Sequence, residues 1–145
     1  MEKRQESSSY SKKIAFIACS KSKRGYSCRA RDLYQGVLFG KALSYCLKRF
    51  DKVYILSAEY GLLELNDWVE PYEKTLNTMN KSERLIWADG IGRELKKKGI
   101  VGEFWFFTGT KYHEFFEGLS IGKCLQWFNT QESLRKGRGL LWEIK

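Results

Sequence analysis

The sequence predicts an α/β fold, a single three-layer domain with a mostly parallel central sheet flanked by helices. Three observations predict it. Strand-sized apolar runs alternate with helical patterns along the chain, the order that builds a parallel sheet through right-handed crossovers. The runs are almost continuously apolar, as strands buried on both faces must be. Finally, 145 residues, 43% of them hydrophobic and only one a proline, suit one self-sufficient core.

Residues 1–13 form a polar, serine-rich lead-in, read as a flexible tail before a single domain at 14–145. No stretch reaches the ~18 apolar residues of a membrane span, and the start lacks a secretory pattern. The expectation is a cytoplasmic protein with no membrane partner. Ile14–Cys19 reads as the first buried strand. A polar loop, Ser20–Ser27, leads into a helical pattern through Leu33, Val37, Leu38, Ala42, Tyr45 and Cys46, with Asp32 as its cap or first-turn acid. Val53–Leu56 is the second strand, followed by a long loop from Ser57 to Thr78 around Pro71. Asn80 and Glu83 have the spacing of a capping box. They introduce a helix that carries Leu85, Ala88, Ile91 and Leu95 on one face, ends in Lys96–Lys98 and stops at Gly99. Glu103–Phe107 is the third strand, a short helix follows around Tyr112–Phe116, and the tail supplies one more strand and a closing helix near Trp142.

The net charge of +9 points to polyanionic partners, either DNA or RNA or a nucleotide or nucleoside. Four irregularly spaced cysteines and one histidine, His113, lack the paired ligands of a zinc site, so no metal and no cofactor is expected. Gly36–Ala42 superficially resembles a phosphate loop, but it is too short between its glycines, lacks a hydroxyl after Lys41 and sits in a helical pattern.

Ligands of open α/β sheets bind beyond the carboxyl ends of the strands. That rule selects three loops. The first, Ser20–Arg31, holds Lys21, Lys23, Arg24, Arg29 and Arg31 with no acid among them, and is read as an anion site. The second carries Glu59, Glu64, Asp67, Glu70 and Glu73; of these Glu59 and Glu73 are placed to orient water or stabilise a cationic transition state. The third is Thr108–Tyr112. Ser57 either binds a ligand or caps the turn after it, and Gly61 is expected at positive φ in a turn with Tyr60. Cys19 is either a packed thiol or a nucleophile activated by Lys21 or Lys23. Tyr34 and Tyr72 either stack on a base or pack.

Four segments carry a resemblance: Cys19-Ser-Lys-Ser-Lys23, Ala30-Arg-Asp-Leu-Tyr34, Ile55-Leu-Ser-Ala-Glu-Tyr-Gly-Leu62 and Glu70-Pro-Tyr-Glu-Lys-Thr-Leu76. Together they resemble an uncharacterised bacterial, archaeal and phage domain family whose members are often labelled as similar to the peroxide-stress protein YaaA. The first segment also looks like a loop of the archaeosine synthase group, and more distantly the chain resembles glycosylase-like α/β domains. The match runs from about Ile14 to Leu76, with a looser echo at Thr108–Tyr112. Carried over residue by residue, the resemblance implies a site of Cys19, Ser20, Lys21, Lys23, Tyr34, Ser57, Glu59, Tyr60, Gly61, Pro71, Tyr72 and Glu73, and the echo adds Thr108 and Gly109. Glu59 stands where many relatives carry lysine, so Glu73 is the better carboxylate.

The expected function is a base-directed enzyme acting on DNA, RNA or a nucleoside by cleaving or exchanging an N-glycosidic bond. Glu73 or Glu59 would serve as the carboxylate and Lys21 as its cationic partner. Ser20, Lys23 and Arg24 would hold phosphate. The alternatives are a noncatalytic nucleic-acid-binding module in stress response or phage defence, and a nucleotide-binding sensor.

Overall fold

A computed structural model describes residues 12–116 and 123–129. The chain runs through β1 (Lys13–Ala18), β2 (Cys28–Arg29), α1 (Ala30–Leu33), α2 (Val37–Arg49), β3 (Lys52–Ser57), β4 (Gly61–Glu64) and β5 (Trp68–Val69). It continues with a 3-10 turn (Leu76–Thr78), α3 (Lys81–Lys97), β6 (Glu103–Thr108), α4 (Thr110–His113) and β7 (Lys123–Asn129). Five strands form one mixed sheet in the order β4-β3-β1-β6-β7. Its pairings are parallel except for β4, which runs antiparallel to β3 at the edge. β2 and β5 make a separate antiparallel ribbon.

The central strands are apolar through their middle because each of their faces is covered. Ala15 and Ile17 of β1 lie with Phe39, Ala42 and Cys46 of α2 in one cluster. Ile14 and Phe16 lie with Ala88, Ile91 and Leu95 of α3 in the other. Alternate residues of a strand point to opposite faces, so one run of apolar side chains feeds both clusters. The fully buried Phe16 ring lies within 5.8 Å of the rings of Tyr54, Phe104 and Phe106, which ties three adjacent strands together. The α/β character and the mostly parallel sheet agree with expectation. Among the described residues, no helix is long and apolar enough to cross a membrane.

Two expectations are corrected. The helical pattern from Leu33 to Cys46 is two helices, α1 and α2, and Asp32 belongs to α1. The break falls at Tyr34, whose backbone is extended and bridges to Lys23, while the Gln35 N–H is donated to the Ser22 carbonyl. The loop takes the backbone groups that a continuous helix would have used. The segment from Ser57 to Thr78 is not one loop. Gly61, at φ +77°, turns the chain so that β4 folds back along β3, burying Leu62 and Leu63.

The Asn80–Glu83 capping box is present, with both reciprocal bonds made, and Gly99 ends the run at φ +67°. β7 supplies the expected extra strand. The closing helix near Trp142 and most of the lead-in lie outside the described residues, although Lys13, the last of that lead-in, already opens β1.

Gly102, before β6, has φ +152°, and a Cβ there would stand 2.6 Å from the Lys12 carbonyl oxygen, which also accepts from the Glu103 N–H. Both contacts are with backbone that the β1–β6 pairing fixes, so neither can yield. Gly102→Ala is expected to cost about 2 kcal/mol, read as a lower urea midpoint at unchanged m-value. An unchanged midpoint would show that this corner can relax.

Candidate functional site

β3 and β6 flank β1 on opposite sides, so strand order reverses at β1, where open α/β sheets form their ligand crevice. A pocket of about 720 Å³ opens at that point, within the range of small-ligand sites. Its floor is the carboxyl end of β1 (Ile17, Ala18, Cys19) together with Phe107 and Gly109 at the end of β6. One wall is the Ser20–Lys23 loop and the first turn of α2. The other is the segment from Tyr72 through the 3-10 turn to Thr78, with Lys111 and Tyr112 at the β6 end.

The charge of this lining is strongly one-sided. Among the described residues, Lys21, Lys23, Lys74 and Lys111 line it, against the single carboxylate of Glu73. Lys23 is held in place: its ammonium donates to the Lys21 carbonyl at 3.3 Å and stands 4.4 Å from the Tyr72 ring centroid. The α2 amino terminus adds to the positive field. Gly36, Leu38 and Phe39 line the pocket, no side chain among the described residues caps the helix, and its first turn carries no acid. The leading N–H groups of a 13-residue helix therefore add their partial positive charge to that of the lysines. Ser20 fits closely under this turn. Its hydroxyl accepts from the Gly36 N–H at 3.4 Å and donates to the Ser22 carbonyl.

Beneath the second wall lies a connected set of hydroxyls. Ser57 Oγ accepts from the N–H groups of Glu59 (3.2 Å) and Tyr60 (2.9 Å), so its one proton goes to Tyr72 Oη at 2.8 Å. The Tyr72 and Tyr34 hydroxyls are 2.8 Å apart, and Cys19 Sγ is 3.3 Å from Tyr112 Oη. Burial, followed by proximity to Cys19, pushes the Tyr72 and Tyr112 hydroxyls well above the ordinary value of 10.0. Burial does the same to Tyr34. These phenols stay protonated as donors, and they anchor the segment that brings Glu73 to the pocket.

Of the sequence-predicted residues, the pocket gathers Cys19, Ser20, Lys21, Lys23, Tyr72, Glu73 and Gly109. The others serve elsewhere. Ser57 is fully buried with its hydroxyl committed to three partners, so it caps the turn and holds Tyr72 rather than a ligand. Tyr34 is 4% exposed and packed edge-on against Tyr72, which leaves no ring face for a base. Arg24 turns away to the Asp32 carbonyl and the Tyr26 hydroxyl. Thr108 is buried and donates to the Gly109 carbonyl. Tyr60 Oη bonds both the N–H and the carbonyl of Glu70, pinning the start of the Tyr72 segment. Glu59, Tyr60 and Gly61 line a different hollow, of about 470 Å³, against Trp87 of α3. The two candidate acids therefore line different cavities, which adjoin at Lys74, and only Glu73 shares its cavity with Lys21, Lys23 and Lys111.

Sequence reasoning missed Lys74, Lys111 and the α2 amino terminus. Lys74 directly follows Glu73, and Lys111 sits inside the Thr108–Tyr112 segment, so both were adjacent to residues already singled out. What was lacking was any sign of where a solvated lysine points.

Neither the curated proteins nor the solved structures contain a match to this chain. One family model matches residues 14–142, and its description is "Family of unknown function (DUF6884)".

Proposed function

Because the chain belongs to the DUF6884 family of unknown function, its chemistry has to come from its own pocket, and we propose that this pocket binds a phosphorylated nucleoside unit of DNA, RNA or a free nucleotide and cleaves or exchanges its N-glycosidic bond. The observation that carries the reading is four ammonium groups and a bare helix amino terminus facing one carboxylate at the sheet's switch point. Lys21, Lys23 and the α2 N–H groups hold phosphate. Leu38, the partly exposed apolar residue of the helix wall, supplies a surface for the base. Glu73 orients water toward the sugar carbon and stabilises the oxocarbenium-like centre as the bond to the base breaks. Lys111, across the pocket, stabilises the negative charge that the departing base takes with it before protonation. The two helix-covered faces of the sheet form a three-layer domain in this reading. The resemblance of the Cys19–Lys23 loop to the archaeosine synthase group, and of the four segments to YaaA-labelled proteins, points the same way.

The test has two arms. Calorimetry with nucleoside monophosphates measures binding, and chromatography of incubated oligonucleotide measures free base. Lys21→Ala combined with Lys23→Ala removes charged hydrogen bonds worth about 1.5–3 kcal/mol each. At least a tenfold loss of nucleotide affinity is expected, with the fold intact. Wild-type affinity in the double variant would remove the pocket from the account.

The exposure of Glu73 favours a second reading, binding without chemistry, as a nucleic-acid module in stress response or phage defence or as a nucleotide sensor. Nucleotide binding with no base released after prolonged incubation selects it.

A further inference from the structure

We propose that the opposite, amino-terminal rim of the sheet is a second anion-contacting surface, which holds the phosphodiester backbone of a nucleic-acid strand; the choice of nucleic acid rests on the reading of the pocket given above. Two helices end at this rim, α2 in Lys48 and Arg49 and α3 in Lys96 and Lys97, with Lys98 next. Two strands begin there, β1 at Lys13 after Lys12 and β3 at Lys52. Backbone pairing places them side by side: Ile14 is in register with Lys52, and Lys13 with Glu103. Lys52 and Lys98 both reach Glu64, at 3.3 and 3.9 Å. All eight cations are exposed.

Among the described residues, compensation at this rim is incomplete. The acids are Asp51, Glu64, Glu103 and Asp67; Asp51 is already bonded to the Lys13 N–H, and Asp67 to the Glu64 N–H. The carboxyl ends of two helices contribute about half a negative charge each, which leaves an excess of about three positive charges. Capping the helix dipoles accounts for a minority of the lysines. Three cations are also braced by rings: Lys13 stands 5.9 Å from Trp105, Lys52 5.5 Å from Tyr54 and Arg49 4.3 Å from Tyr45. Bracing of this kind lowers the entropy lost when they engage an anion.

The arrangement selects a flexible polyanion. Six-residue strands separate this rim from the pocket by about 20 Å. A flat anionic membrane touches one end of such a molecule, whereas a strand of phosphodiesters can bend round to both. Lysine predominates over arginine here, which suits contacts to phosphate without reading of bases.

The test uses the full chain carrying Lys48→Gln, Lys96→Gln and Lys97→Gln, three exposed positions away from the Glu64 ion pairs. The probes are a labelled oligothymidylate of about 20 nucleotides, a thymidine monophosphate and phosphatidylserine vesicles. Oligonucleotide affinity is expected to fall at least tenfold at low salt, and the slope of log K against log salt to flatten by about 2. Mononucleotide affinity is expected to be unchanged. Unaltered oligonucleotide affinity and slope would overturn the proposal, as would vesicle binding lost in the variant while oligonucleotide binding persists. If wild-type protein ignores the mononucleotide while the oligonucleotide effect holds, the pocket reading fails and the rim stands.

Discussion

Glu73→Gln is expected to lower base release by about 10²- to 10⁴-fold, the usual range for a positioned acid or base, while nucleotide affinity stays level or rises. The direction of the binding change separates a catalytic role from a structural one. Among the described residues Glu73 is the single acid beside the pocket's four lysines, so the amide removes a repulsion toward an incoming phosphate. A side chain that merely held the wall would lose affinity and activity together. Glu73 is exposed, so the change has no core packing to disturb and thermal stability should shift by under ~0.5 kcal/mol. Glu59→Gln is the control. It faces the neighbouring hollow beside Trp87, and turnover should stay within about twofold of wild type. Equal losses in both variants would mean that the two cavities act as one, and the assignment of Glu73 alone would be wrong.

The parts of this molecule that the sequence disclosed are those whose causes are local or repeated. β1, β3 and β6 announce themselves because burial on both faces forces a run of apolar residues between their charged first residues and their carboxyl ends. The start of α3 is readable because Asn80 and Glu83 satisfy one another across one turn. β2 and β5 were not readable. Each is two residues long, and Cys28 is extended where it pairs with Val69, distant in the chain. The choice for Tyr34 between stacking on a base and packing was not readable for the same reason. Its burial depends on Tyr72 and Phe39, and no pattern around Tyr34 itself foretells that the Tyr72 segment will cross it. The site divides likewise. A rule about strand ends located Lys21, Lys23 and Gly109. The partition of Glu59 from Glu73 depended on how Tyr60 pins Glu70, a contact between two residues of one unpatterned segment.

The hydroxyl set also predicts how the fold fails in alkali. Tyr34, Tyr72 and Tyr112 keep their protons in the folded state to well above 10.0, chiefly because they are buried, whereas in the unfolded chain each titrates near 10.0. Below that pH both states hold the proton and the contribution to stability is complete. Above it the unfolded chain binds fewer protons than the native one, so stability falls as pH rises. The slope is about 1.4 kcal/mol per pH unit for each tyrosine, or roughly 4 kcal/mol per unit for the three together. Domains of this kind have about 5–15 kcal/mol to lose. Urea midpoints should therefore begin to decline near pH 9, where burial has also pushed the Cys46 thiol above its ordinary 9.0, and drop steeply above about pH 10, with phenolate absorbance from these three appearing only on unfolding. Tyr72→Phe sharpens the test. It leaves the Ser57 proton without its acceptor, so stability at neutral pH falls by about 1–3 kcal/mol, but the alkaline slope should become shallower by about 1.4 kcal/mol per unit. A residue that only filled space would lower the midpoint at every pH and leave the slope alone. If the slope is unchanged in Tyr72→Phe, or if phenolate forms near pH 10 in folded protein at all three positions, the hydroxyls beneath the pocket are solvated, and the rigid support inferred for the Glu73 segment is absent.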